Sequence, residues 1–217
     1  MSKTLQLRVI DRQHPERSKV EEHIAQRYEK AFHAQLSEFM PVLLAVYGEH
    51  DELLSACGFR VASEEPLFLE QYLTKPADEL MSDVFQLPVG RHSLIEIGQL
   101  ASFSQGSAPQ HFFLLSQYLL EQGYQWCIFT ATDPLHAMMH RLGLTPIQLS
   151  LASADHVPNA EKIWGSYYQH QPRVCGGQLL AGYQQLAKRF MRLQSLAQAS
   201  SGDMSSGHAE PPQQAQM

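Results

Sequence analysis

The sequence predicts a mixed α/β domain, an α+β sheet arranged around one parallel pair of strands, and three observations lead there. Leu94 to Phe103 and Trp126 to Thr130 are β-rich, mostly apolar runs separated by a glycine-bearing turn and a helix-spaced stretch, the pattern of a βαβ unit. Phe39 to Tyr47 and Leu53 to Val61 are apolar runs around Gly48-Glu49-His50-Asp51, which has hairpin-turn composition. Glu16 to Leu36 sets Val20, Ile24, Ala31, Phe32 and Leu36 against Lys19, Glu22, Gln26, Glu29 and Lys30, an amphipathic helix whose stripe a sheet is enough to explain.

The elements follow in order. Alternating Leu5, Leu7 and Val9 predict a first strand, and Pro41 leads into the second. After the hairpin, Pro76 to Leu87 reads as a short helix and linker. Gln110 to Gln122 repeats Phe112, Phe113, Leu115, Tyr118, Leu119 and Leu120 at helical spacing and is closed by Gly123. Thr132 or Asp133 followed by Pro134 is a good N-cap and first turn for a helix from Leu135 to Leu142, ended by Gly143. Ile147 to Leu151 is a short strand, Asn159 to Tyr168 an aromatic-rich turn or short helix, and Val174 to Gly182 a last strand leading into a helix through Leu196. With 217 residues and 44% hydrophobic content the chain suits one core, so residues 1–196 are expected to form a single domain. Residues 197–217, rich in Ser, Gly, Gln and Pro, are expected to be a disordered tail.

Composition removes several function classes. A net charge of −6 with scattered basic residues gives no footprint for nucleic acid. Cys57, Cys127 and Cys175 are widely spaced in apolar runs, which suits buried free thiols in a reducing compartment. Of eleven histidines only His136 and His140 share a helix face, with no acidic ligand between them, so no metal site is expected. Met1-Ser2-Lys3-Thr4 runs into an alternating strand and not into a secretory core, and no apolar run approaches bilayer length; the expected location is cytoplasmic, with no transmembrane segment.

Four places can carry chemistry. Backbone N–H groups of Gly106, Ser107 and Ala108, at a helix start, are suited to a pyrophosphate; equally, Gly106 can simply permit a tight turn. Arg60, the only charge in its strand, is either a snorkelling edge residue or an anion ligand. Glu64 to Leu73 mixes acids with large apolar groups; it either lines a pocket or packs as an amphipathic segment, and composition does not choose. Glu96 is the most informative titratable residue, because a carboxylate inside an apolar strand is costly unless paired or working.

The strand, Gly-x-Ala turn, helix and strand, followed by Ala137 to Leu144 with its Leu-Gly-Leu end, resemble the core of the GNAT superfamily of acyl-CoA N-acyltransferases. More closely, Phe39-Met40-Pro41, Glu65 to Leu73, Glu96 to Ala101, Phe129-Thr130-Ala131-Thr132 and Trp164 to Tyr168 resemble the bacterial thermostable hemolysin family, across about Leu5 to Leu186. That family in turn resembles acyl-homoserine-lactone synthases and N-acyl amino acid synthases. The resemblance implies a GNAT-like fold: a central, largely antiparallel sheet with helices on both faces, and a parallel pair splayed at residues 100–102 and 126–128. It implies acyl transfer from acyl-CoA or an acyl carrier protein to a small amine or amino acid, with no permanently bound cofactor.

On that reading Glu96 is the base and Arg60 holds an acceptor carboxylate. Leu100, Ala101, Ser102, Gly106, Ser107 and Ala108 bind the donor, and Glu70, Tyr72 and Gln99 contact substrate. Three departures stand out. Gln99 replaces the arginine of the synthases' Glu-Val-Ser-Arg, Phe103 stands where GNAT proteins place Gln or Arg before the pyrophosphate glycine, and Met139 occupies the position of a common tyrosine acid. The alternatives are a cytolytic protein, as the family name records, or a GNAT-fold binding module without catalysis.

Overall fold

The computed structural model describes residues 5–102 and 108–202. In chain order the elements are β1 (Gln6–Ile10), α1 (Arg17–Phe32), β2 (Val42–Tyr47), β3 (Leu53–Val61), α2 (Ala77–Phe85), β4 (Leu94–Ser102), α3 (Ala108–Glu121), β5 (Trp126–Ala131), α4 (Asp133–Arg141), β6 (Ile147–Leu151), α5 (Ala160–Trp164), β7 (Arg173–Gln178) and α6 (Leu179–Gly202). The strands form one sheet in the order β1-β2-β3-β4-β5-β7-β6. Every neighbouring pair is antiparallel except β4 and β5, which α3 joins as the crossover that parallel strands require.

Strand alternation divides the core between two faces. On one, α1 covers Leu43, Ala45, Tyr47, Ala56 and Ala101, while α2 and the preceding segment cover Leu94, Trp126, Ile128 and Val174. On the other, Leu44, Cys57, Phe59, Ile95 and Cys127 meet Leu115 and Leu119 of α3 and Leu179 of α6, and Met139 of α4 packs on Leu186. All three cysteines are free and buried. No described helix is long and apolar enough to cross a membrane.

Three expectations needed correction. Helix α1 ends at Phe32 and not at Leu36, because His33 takes the left-handed conformation at φ 55° and donates its N–H to Glu29 O, which stops the helix. Residues 179–182 are helical, not strand: β7 stays paired with β5 only as far as Gln178, after which Leu179 N–H turns to Gln125 O and α6 begins. Helix α6 then continues to Gly202, past the expected boundary at 196.

The parallel pair does part at residues 100–102, as expected, but not at residues 126–128. Leu94 to Ile97 pair with Trp126 to Phe129, so residues 126–128 are fully zipped and the strands separate only beyond Ile97 and Phe129. A β-bulge explains the place. Ala56 faces Ala101 and Gly58 faces Gly98, so Gln99 and Leu100 together oppose Cys57. An extra residue on one strand bends that strand and increases its twist, here turning β4 away from β5. Gln99 sits in the left-handed region at φ 55°, and its side chain holds it there: Oε1 accepts from Met40 N–H at 3.1 Å and Nε2 donates to Glu38 O at 2.8 Å.

Candidate active site

Glu96 lies in the zipped part of the pair, opposite Arg60 of β3 and beside Ile128 of β5. Alternation turns its carboxylate to the face of α1 and α2, where the 3-10 turn Phe68–Tyr72 lies over it and leaves it 1% exposed. Oε2 accepts from Leu69 N–H at 3.2 Å. Burial raises its pKa to about 7, while the Arg60 charge and the N–H groups of Leu69 and Phe68 oppose a larger rise. A carboxyl group poised near neutrality is matched to taking and returning a proton at cellular pH.

Arg60 does share the site with Glu96. Its Nη1 lies 3.4 Å from Glu65 Oε2 and 3.5 Å from Pro66 O, and its buried Nε has no partner among the described residues. Tyr72 is also on this face, buried, with its hydroxyl 2.7 Å from that of Tyr168. Burial raises the pKa of both phenols, so they stay neutral.

Glu70 belongs to a different arrangement from the one expected. Its Oε1 accepts from Arg91 Nη1 at 2.7 Å and from Ala77 N–H at 3.0 Å, and its Oε2 accepts from Leu67 N–H at 3.3 Å. Burial alone pushes its pKa up, but the Arg91 guanidinium and the two N–H groups bring it below the ordinary value. With both oxygens engaged, Glu70 fastens the segment that covers Glu96 and has no lone pair directed at an amine. Arg91 completes the fastening, reaching Asp78 at 2.9 Å and Ala62 O at 2.8 Å. The Gln99 amide is likewise spent on the 38–40 loop.

Where β4 and β5 part, a cleft of about 680 Å³ opens. Its walls are Ile97 to Leu100 and Ser102 of β4 and Phe129 and Thr130 of β5, with Phe112, Leu115, Met138, Met139 and Leu186 from α3, α4 and α6. The lining is mostly apolar, as in most small-molecule clefts. Leu100 and Ser102 face it, whereas Ala101 is turned into the core against α1. Beyond Ile97 the β5-side edge of β4 has no strand partner among the described residues. Gly106 and Ser107 lie outside the described residues, and Ala108 begins α3. Glu96 is adjacent to this wall in sequence but its side chain is not in the lining.

Residues 10–183 match the sequence profile of thermostable hemolysin. The chain belongs to the thermostable hemolysin family. No curated protein matches it in sequence. Among solved structures it resembles FeeM, an N-acyl amino acid synthase from uncultured soil microbes, at 14% identity and a TM-score of 0.56, covering 85% of this chain and 95% of that one. It also resembles the acyl-homoserine-lactone synthase LasI, at 14% identity, a TM-score of 0.55 and coverage of 82% and 91%. BjaI, a CoA-dependent acyl-homoserine lactone synthase, aligns at 12% identity and a TM-score of 0.54, over 86% and 89%. These likenesses establish that this thermostable hemolysin family member has the acyltransferase-type fold.

Sequence reading missed two polar pairs in this family member. Tyr167 Oη donates to Thr130 Oγ1 at 2.9 Å beside the cleft, and Ser55 Oγ lies 2.6 Å from His111 Nδ1 in a fully buried pair between β3 and α3. Neither has a local spacing that marks it. His136 and His140 stack on each other at 4.5 Å, and among the described residues no third ligand joins them.

Proposed function

We propose that the protein is an N-acyltransferase that moves an acyl group from a thioester, on CoA or an acyl carrier protein, to an amine or amino acid. The observation that carries this reading is the position of buried Glu96 in the strand that opens, two residues later, into an apolar cleft between parted parallel strands. The fold shared with FeeM and BjaI makes a thioester donor and an amine acceptor the natural pair. The donor's pantetheine arm lies between β4 and β5, where those backbone N–H groups of residues 98–102 that point away from β3 polarise the thioester carbonyl.

The acceptor approaches Glu96 from the side of the Phe68–Tyr72 turn, displacing the long bond from Leu69 N–H, and Arg60 orients an acceptor carboxylate through its free Nε. Glu96 takes a proton from the ammonium, and the amine attacks the carbonyl. Collapse breaks the C–S bond with its electron pair leaving on sulfur. In sum, thioester and ammonium give amide, thiol and one released proton.

The test is to incubate the purified protein with acyl-CoA and a pool of amines and amino acids and to look for an N-acyl product by mass spectrometry. Glu96→Gln, which keeps shape, is expected to lower product formation by roughly 10²-fold or more. Equal product from a well-folded variant removes Glu96 as the base. The spent Gln99 amide and the thioether of Met139 favour a second reading, a GNAT-fold binding module; it predicts acyl-CoA binding with no product from any acceptor.

A further inference from the structure

An acyltransferase of this kind has two charges to manage, the proton on the attacking amine and the negative charge on the departing sulfur. Glu96 addresses the first. Met139 reaches the cleft with a thioether, which cannot donate a hydrogen bond to the second. Thr130 can. It is the first residue of β5 beyond the last pair with β4, so it stands at the mouth of the opening. It also shares a face with Glu96: Glu96 pairs with Ile128, so Thr130 is its diagonal neighbour, about 7–8 Å away on the same side of the sheet. That is the separation needed for a tetrahedral centre between a base and a leaving-group donor.

The surroundings of Thr130 fit the task. Tyr167 Oη donates to its Oγ1 at 2.9 Å, an arrangement that engages a lone pair of the hydroxyl and not its hydrogen. Both side chains line the cleft. A hydroxyl that accepts from a phenol is polarised toward giving its own proton, so the Tyr167–Thr130 chain holds a strengthened donor at the wall of the cleft.

We propose that Thr130 is a catalytic residue that donates a hydrogen bond to the thioester sulfur as the C–S bond breaks, with Tyr167 as its positioning residue. The inference rests on the acyltransferase reading above. The electron pair of the C–S bond goes to sulfur, Thr130 stabilises the thiolate without surrendering its proton, and water protonates the thiolate after it leaves. Of the two protons lost by the acceptor nitrogen, Glu96 takes one and water the other.

The experiment compares wild type, Thr130→Val, Thr130→Ser and Tyr167→Phe on two thioesters of the same acyl group, one with N-acetylcysteamine and one with thiophenol. The alkyl thiolate is the poorer leaving group and needs the donor more. Thr130→Val is expected to lose at least about 10-fold in kcat on the alkyl thioester, within the range for removing one preorganised donor, and less than about 3-fold on the aryl thioester, with KM little changed. Thr130→Ser should restore most of the rate, and Tyr167→Phe should show a smaller deficit with the same leaving-group dependence. A Thr130→Val enzyme as fast as wild type, or equally slowed on both thioesters, overturns the inference while leaving the acyltransferase reading in place. A wild-type protein that acylates nothing overturns both.

Discussion

Glu96→Gln can be tested by stability as well as by rate, and the two outcomes discriminate between a poised base and a buried ion pair. Burial raises the folded-state pKa of Glu96 to about 7 from an ordinary 4.5. A raised pKa contributes stability that is fully present below the unfolded value and is lost as pH rises through the folded value. The gap corresponds to about 3 kcal/mol, lost between about pH 4.5 and pH 8. His111 hides this in the wild-type profile, because burial pushes its pKa down to about 4 and so removes a similar amount of stability as pH falls from about 6.5 to 4. The variant exposes it. Glutamine still accepts from Leu69 N–H, and the cost of its unpaired amide group, about 1–3 kcal/mol, does not vary with pH. Urea unfolding of both proteins between pH 4.5 and 8 should therefore show the variant gaining about 3 kcal/mol relative to wild type as pH rises. A difference independent of pH, or a deficit that grows with pH, would mean that Arg60 holds Glu96 ionised as a structural pair, and the argument for a poised base would fail.

Two further outcomes follow from the polar pairs around the site. His111→Phe should flatten the acid limb of wild-type stability by about 3 kcal/mol between pH 6.5 and 4, at a pH-independent cost of about 1–3 kcal/mol for leaving Ser55 unpaired; an acid limb as steep as wild type in the same urea series contradicts a buried neutral imidazole. Arg91→Met removes the bonds to Glu70, Asp78 and Ala62 O, and because those groups are partly solvated the global loss should be only about 1 kcal/mol. The local effect should be larger: amide exchange at Leu67–Tyr72 is expected to quicken about 10-fold while α3 is unchanged, and identical exchange in both proteins would show that Glu70 and Arg91 do not anchor the cover over Glu96.

The legible parts of the fold are those with a local signal. β3 and β6 coincide with their apolar runs at Leu53–Val61 and Ile147–Leu151, short β-rich stretches bounded by turn residues. Leu179 to Gly182 failed because a short apolar run suits a strand or a buried helix equally, and the choice was made by where β5 stops offering partners. Glu96 was visible as a lone carboxylate in an apolar strand. The roles of Glu70, Gln99 and Thr130 were not, since their partners lie 21, 59 and 37 residues away and hydrogen bonds between elements leave no spacing to read.

Gln99 shows what that hidden information decides. Read against related sequences, it is a charge lost from the position of an arginine. In the fold it is the residue at φ 55° in the bulge, and its amide ties β4 to the 38–40 loop through one accepted and one donated bond. A left-handed conformation in a residue other than glycine costs about 1–2 kcal/mol and persists where its surroundings over-determine it, as those two bonds do. Holding the bulge holds the bend in β4, and the bend keeps Gly98 to Ser102 from zipping onto β5. The cleft therefore depends on an uncharged side chain in its own wall, whose amide is engaged with the 38–40 loop. Under the acyltransferase reading, Gln99 supplies the opening, and the proton and the leaving group fall to the two residues that share a face on either side of it, Glu96 and Thr130.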